Sequence, residues 1–286
     1  MTTECKAVLV TGCSSGLGRF TADFLRRKGW RVIVTVRKET DAERLRSDGF
    51  ESLLLDLNSS ASIKEAAEGV LDSTDGALYG LVNNAGVEFL GAIEDLSRDD
   101  LRQCFETNVF GTMELTSRLI PAFRRQQFGR IVFISASNSN GFGYPFLGPG
   151  NATKAALEIL ATTLKRELRH TGISVSTVCP DELSTQLLPN MLRYSQHVVS
   201  SEKSAHAQTY SLFHKIYSHP AVESATNKLL PVAGAIARIL ASDSPPRRIV
   251  VPLSAKLHYF AHAVLPEWLQ DVLLFRTMKK GLGIDL

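Results

Sequence analysis

The segment Lys6-Ala-Val-Leu-Val-Thr-Gly-Cys-Ser-Ser-Gly-Leu-Gly-Arg19 constrains this chain more than any other. Residues 7–10 are a short apolar run rich in β-branched side chains, as expected of a strand covered on both faces. The glycines that follow predict a turn into a helix. Gly12 supplies the turn's dihedrals, Gly16 lets backbone N–H groups approach a phosphate, and Gly18 allows close packing of helix on strand. Ser14, Ser15 and Leu17 complete a cradle that points the helix N-terminus at an anion. A chain built on this unit folds as an α/β sheet with its ligand at the carboxyl ends of the strands.

The rest of the chain repeats the alternation of strand and helix. Strands are predicted at 30–36, 52–56, 78–83, 130–135, 173–178 and 248–251. Helices are predicted between them, including 41–47, 63–71, a long one over 101–125, and 231–240 opened by Pro231. Such alternation predicts a doubly wound, mostly parallel seven-stranded sheet with helices on both faces, a Rossmann-type α/β fold. With 286 residues, one domain over 1–286 is expected, carrying a helical insertion at 183–230 and a helical extension at 254–286.

Composition narrows the function. Hydrophobic residues make up 44% and charged residues 21%, which allows a large core and argues against disorder. The net charge is +3 with no run of Lys or Arg forming a stripe, so no nucleic-acid partner is expected. Cys5, Cys13, Cys104 and Cys179 lack the paired spacings of a zinc or redox site and read as reduced thiols of a cytoplasmic protein. His197, His206, His214 and His219 have no acidic partners at ligand spacing, and no metal is expected. With the first strand expected so soon after Met1 and no apolar run of transmembrane length, neither a signal peptide nor a membrane span is expected.

At the end of the second strand, where a dinucleotide-binding fold meets the adenosine ribose, an acidic residue would accept the 2′-hydroxyl of NAD(H). Here Val36 is followed by Arg37 and Lys38, which suit a 2′-phosphate, so NADP(H) is expected over NAD(H). Asp56, with Leu57 after it, ends the third strand at the ligand edge, where it can accept a bond from an adenine amino group.

Taken together, Thr11-Gly12-x-x-x-Gly16-x-Gly18, Asp56 and Asn83-Asn84-Ala85-Gly86 resemble the short-chain dehydrogenase/reductase family, and the layout is similar to its steroid- and retinol-dehydrogenase members. The resemblance is strong over 6–251 and weaker in the tail. It implies that Asn83, Ala85 and Gly86 line the adenosine side. It also implies that Asn108, in Glu106-Thr-Asn108-Val-Phe-Gly111, holds a water beside the catalytic lysine. A substrate-binding serine is implied after the fifth strand, filled by Ser135 or Ser137, of which Ser137 has the better spacing. Pro180-Asp181-Glu-Leu-Ser-Thr185 resembles the family's Pro-Gly-x-x-x-Thr, which makes Pro180 and Thr185 nicotinamide contacts and puts Asp181 where glycine is usual.

The decisive departure lies in the helix that carries the family's Tyr-x-x-x-Lys. This chain reads Gly150-Asn151-Ala152-Thr153-Lys154. Lys154 keeps its place, while Gly150 stands at the position of the missing general acid. A phenol acidified by a neighbouring ammonium protonates the carbonyl oxygen as hydride arrives, a contribution of about 10²–10⁴-fold in rate. Tyr144, on the preceding loop, is a substitute only if that loop folds back.

The resemblance therefore implies an NADP(H)-dependent oxidoreductase for a lipophilic alcohol or carbonyl with impaired acid–base catalysis. The alternatives are a catalytically silent cofactor binder and a non-redox enzyme using the same pocket. A homodimer or homotetramer is implied. Met191, Tyr194, Tyr210, Phe213 and Tyr217 in the insertion either line a substrate lid or pack a core of their own. The apolar tail caps the substrate mouth or packs on the core, with peripheral membrane contact as the alternative.

Overall fold

The computed structural model describes residues 6–137, 139, 143–181, 187–217, 222–252, 255, 256, 259 and 264–282. Its strands are β1 (Ala7–Val10), β2 (Arg31–Val36), β3 (Glu51–Leu54), β4 (Leu78–Asn83), β5 (Gly129–Ile134), β6 (Ile173–Pro180) and β7 (Arg248–Val251). They form one sheet in the order β3-β2-β1-β4-β5-β6-β7, and every neighbouring pair is parallel.

Strand periodicity splits the core into two layers. Val8, Val10, Val32 and Val34 face α1 (Gly16–Arg27), α2 (Glu39–Ser47) and α10 (Val222–Ala241), where they pack with Leu25, Leu45, Ile236 and Leu240. Leu9, Ile33 and Leu81 face the opposite layer of α3 (Ser60–Ser73), α5 (Thr112–Arg125) and α6 (Gly148–Glu167), joining Ile63, Leu115, Leu119 and Leu157. Both faces are covered, which is why the strands read as nearly continuous apolar runs. Burial of each such side chain is worth about 1.5–3 kcal/mol.

The order reverses at β1, between β2 and β4, and this opens a crevice at the carboxyl ends of the strands. The sequence-predicted elements are recovered with shifted ends, and the third strand stops at Leu54, so Asp56 lies in the loop after it rather than at its end. The helix expected at 101–125 begins earlier, as α4 (Arg98–Phe105), because Ser97 and Asp100 close a capping box. It then passes through a π-helical turn (Glu106–Gly111) before α5. The turn presses on the loop after β3, where a Cβ at Gly111 would collide with the Leu57 carbonyl. Pro231 does not open its helix but sits inside α10. It and Asn227, four residues earlier, are exposed, so the carbonyl that loses its partner can be hydrated.

The insertion forms α7 (Leu187–Tyr194), α8 (Gln196–Val199) and α9 (Ala207–Tyr217), and the tail forms α11 (Glu267–Leu282). Met191, Val198, Tyr210 and Phe213 share one buried cluster with Leu90, Phe146, Leu274 and Met278. No described helix is long and apolar enough to cross a membrane.

Candidate active site

The glycine-rich turn works by close approach. Gly12 and Gly16 have φ of +72° and +58°, conformations that L side chains resist. A Cβ on Gly12 would sit 2.8 Å from Ala85 Cα, and one on Gly18 would run into the Gly12 carbonyl, so β1, α1 and the loop after β4 meet with no room for a side chain. Thr11 fixes that junction. Its buried hydroxyl accepts from Asn84 N at 3.0 Å and Ala85 N at 2.9 Å, while Asn84 Nδ2 donates to the Thr11 carbonyl at 2.8 Å. Asn83 Nδ2 donates to Thr116 Oγ1 at 2.9 Å, tying β4 to α5. Ser15 is the N-cap of α1 but makes no side-chain cap, and the first turn, including buried Leu17, has no acidic residue. Its N–H groups therefore suit an anion. Arg44 donates to the Ser14 carbonyl at 2.9 Å and braces the turn from α2.

At the end of β2, Arg37 donates to the Tyr194 hydroxyl at 2.7 Å, and Lys38 is exposed as the N-cap of α2. Among the described residues Arg37 forms no ion pair, so the cation is held by a neutral partner. Asp56 lies just past β3, where its Oδ1 accepts from Asn58 N at 3.0 Å beside buried Leu57.

Asn108 is central to the other half of the site. Its Oδ1 accepts from Val87 N at 2.8 Å, and its Nδ2 lies 2.8 Å from the Val87 carbonyl, 3.0 Å from Thr153 Oγ1 and 3.4 Å from Cys104 Sγ. The side chain thus clamps the π-helical turn to the loop after β4 and to the start of α6. Thr153 Oγ1 in turn donates to the Gly150 carbonyl at 2.8 Å. Lys154 Nζ donates to the Ile134 carbonyl at 2.8 Å, and a Cβ on Gly86 would lie 3.8 Å from it. Burial pushes the Lys154 ammonium below its ordinary pKa, with the charge of Glu88 opposing that fall.

Glu88 is the residue that sequence reasoning missed. Gly150 is buried in the first turn of α6, and a Cβ built there would fall on the Glu88 carboxylate. That carboxylate accepts from Phe89 N at 3.1 Å and from the Gly150 backbone, and it feels the charge of Lys154. Desolvation dominates and raises its pKa from 4.5 to about 7. The signal was present as an acidic residue two positions past Asn83-Asn84-Ala85-Gly86, at the ligand edge, opposite a helix position lacking a side chain.

The two candidate serines differ. Ser135 Oγ is buried without a hydrogen-bond partner, whereas Ser137 donates to Asp181 Oδ1 at 3.1 Å and its backbone N–H bonds the Pro180 carbonyl at 2.8 Å. Asp181 thus engages the hydroxyl that the spacing favoured. Thr185 lies outside the described residues, as do Cys5 and His219. Tyr144 packs against the cluster of α7–α9, a packing role.

Met191, Tyr210 and Phe213 are buried in that cluster too, and Tyr217 stacks on Phe213 at 5.6 Å. Tyr210 donates to Asp95 at 2.5 Å, and Ser195 Oγ accepts from Leu90 N at 2.7 Å. The insertion is therefore fastened to the loop after β4 by a core of its own. Tyr194 reaches out of it to stack on Phe89 at 5.7 Å and meet Arg37. His197 pairs with Asp100 at 3.1 Å and His206 with Glu94 at 2.8 Å.

Comparison with known proteins agrees with this arrangement. Residues 6–194 match the family model described as short chain dehydrogenase. An Escherichia coli protein, uncharacterized oxidoreductase YbbO, is 42% identical over 186 residues, 65% of this chain and 69% of the relative. Human 11-beta-hydroxysteroid dehydrogenase type 2 is 34% identical over 93% of this chain and 68% of its own, and mouse retinol dehydrogenase 7 is 30% identical over 96% and 89%. Among solved structures, a short-chain dehydrogenase from Streptomyces avermitilis superposes with a TM-score of 0.76 at 29% identity, covering 98% of this chain and 99% of that one. An actinorhodin polyketide ketoreductase with NADPH superposes at 0.70 and 26% identity, covering 87% and 97%. With its glycine-rich turn, its Asn83–Gly86 loop and its helix-borne Lys154 on one parallel sheet, the chain belongs to the short-chain dehydrogenase family of oxidoreductases.

Proposed function

We propose that this protein is an NADP(H)-dependent oxidoreductase that moves a hydride between the nicotinamide and a lipophilic alcohol or carbonyl. The observation that carries the cofactor choice is the end of β2, where Arg37 and Lys38 stand without a carboxylate. The cradle fits a dinucleotide, since Gly12 and Gly18 stand where a Cβ would collide, Gly16 takes a positive φ, and the N-terminus of α1 has neither side-chain cap nor acidic residue in its first turn. In this reading Gly12, Ser14, Ser15, Gly16, Leu17 and Gly18 take the pyrophosphate. Asp56, Leu57, Asn83, Ala85 and Gly86 border the adenosine, and Lys154, Pro180 and Thr185 serve the nicotinamide end. The bound cofactor supplies or accepts the hydride.

This chain's own residues do the rest. Asn108 and Thr153 hold α6 in place, Lys154 provides positive charge, and Ser137 or Ser135 orients the reacting oxygen. The apolar side chains of α7–α9 and the similarity to steroid- and retinol-named relatives support a lipophilic substrate. Gly150, one turn before Lys154, leaves the helix without a phenol, an arrangement that also favours a silent NADP(H) binder. The experiment is paired: calorimetric titration with NADPH and NADH, then turnover of a panel of lipophilic ketones and alcohols with the tighter cofactor. Tighter NADPH binding with turnover supports the oxidoreductase, and NADPH binding without turnover selects the silent binder.

A further inference from the structure

We propose that Glu88 is the proton donor and acceptor of this site, its carboxyl filling the volume above Gly150 that faces the Lys154 ammonium. The inference rests on the oxidoreductase reading above and deepens it.

Three observations converge. The atoms nearest to a Cβ on Gly150 are the two carboxylate oxygens of Glu88 and the carbon between them, so the acid occupies the space that the first carbon of a side chain at position 150 would fill. The carboxylate is held there by Phe89 N and by the Gly150 backbone, donors from two different elements. Lys154, one turn further along α6, couples to it electrostatically from both sides of the pair. The glycine and the glutamate thus read as one exchange, with the acid moved from the helix to the loop after β4. Desolvation places the carboxyl near neutrality, at about 7, where it can both give and take a proton. The charged and titratable groups facing it are Lys154 on α6 and Cys104 on α4, and burial pushes the Cys104 thiol up to about 12, so it stays neutral.

In reduction, the carbonyl carbon receives a hydride whose two electrons come from the reduced nicotinamide, which is oxidised. The C–O π pair moves to oxygen, and the oxygen takes the proton as the Glu88 O–H bond breaks. Glu88 is left as a carboxylate beside Lys154 and regains a proton from water. Alcohol oxidation runs the same transfers backwards, beginning with the carboxylate. Reduction therefore needs protonated Glu88 and falls as pH rises through about 7, and oxidation rises over the same range.

The test uses the full chain loaded with NADPH and the isosteric Glu88→Gln variant, with Glu88→Asp as a second variant that keeps the acid but draws it back from Gly150. Difference infrared spectroscopy of wild type against Glu88→Gln is expected to show a protonated carboxyl band that vanishes with a midpoint near neutrality. A carboxyl ionised throughout overturns the proposal. Ketone reduction is expected to fall about 10²–10⁴-fold in kcat in Glu88→Gln, with an unchanged Kd for NADPH and no inflection near neutrality, and to return in part in Glu88→Asp. A Glu88→Gln protein as fast as wild type overturns the role of Glu88 and leaves the oxidoreductase reading standing. Wild type that binds NADPH yet reduces and oxidises nothing overturns both.

Discussion

Tyr194 on α7 accepts a hydrogen bond from Arg37 at the end of β2 across 2.7 Å, joining two residues 157 positions apart. The guanidinium is thereby positioned without being neutralised, so an incoming phosphate has no ion pair to break. Arg37→Ala is expected to weaken NADPH binding about tenfold or more while leaving NADH nearly unchanged, because a hydrogen bond between charged groups is worth about 1.5–3 kcal/mol. Tyr194→Phe removes only a neutral acceptor and should shift either affinity little. Equal calorimetric affinities for the two cofactors in the wild type would refute the assignment.

Gly150 and Glu88 should behave as a coupled pair. In a helix, Gly→Ala is ordinarily worth up to about 1 kcal/mol in stability. Here the new methyl collides with the Glu88 carboxylate, and overpacking of that kind costs about 1–3 kcal/mol. Gly150→Ala should therefore destabilise the wild type and stabilise a Glu88→Ala background, a sign change that urea unfolding of all four proteins measures. For the same reason, a tyrosine at position 150 needs the glutamate gone: Gly150→Tyr with Glu88→Ala should be an active reductase, and Gly150→Tyr alone should not.

The same carboxyl makes stability depend on pH. Its folded pKa is raised, from 4.5 to about 7, so its full contribution is present below the lower value and is lost as pH climbs through the upper one. Wild type should lose stability relative to Glu88→Gln across that window and run parallel to it above. Denaturation midpoints that track each other throughout would show that Glu88 has no raised pKa.

Thr11→Val should destabilise the protein by about 1–3 kcal/mol, since it leaves the N–H groups of Asn84 and Ala85 without their acceptor. Because those N–H groups set the approach of Ala85 to Gly12, NADPH affinity should fall with it. Unchanged urea midpoints would contradict the role given to this hydroxyl.

Glu158 is buried on α6, where it pairs with Arg248 on β7 and accepts from Cys179 Sγ at 3.1 Å. Breaking a fully buried pair costs about 3–5 kcal/mol, but Arg248 keeps contact with water, so Glu158→Gln is expected to cost about 1–3 kcal/mol. By contrast, Glu68→Gln removes an exposed i, i+4 partner of Lys64 and should change stability by less than about 0.5 kcal/mol. Chemical denaturation of the two variants side by side makes the comparison.

Much of the sheet could be read from the chain because a strand buried on both faces leaves a distinctive run, such as residues 7–10, and because Gly12 and Gly18 are needed for contacts that tolerate no Cβ. Asn108 and Lys154 were visible through the resemblance of their motifs to the family's, Glu106-Thr-Asn108-Val-Phe-Gly111 and the helix position four residues after Gly150. Glu88 was not, since the absence of a side chain at position 150 is visible in sequence but the loop that fills the space is not. The π-helical turn left no trace either, because one extra residue per turn changes no composition, and Pro231 read as a helix start only because its exposure was unknown. The cluster joining α7–α9 to Phe146 and α11 depends on contacts between segments far apart in sequence, which apolar periodicity alone does not pair.

Leu274 and Met278 on α11 lie in the same cluster as Met191, Tyr210 and Phe213. In chain order β7, the last strand of the sheet, precedes the residues of α11 that complete this cluster. Pairing of the sheet thus needs no residue beyond β7, whereas the packing of α7–α9 is complete only once α11 has docked.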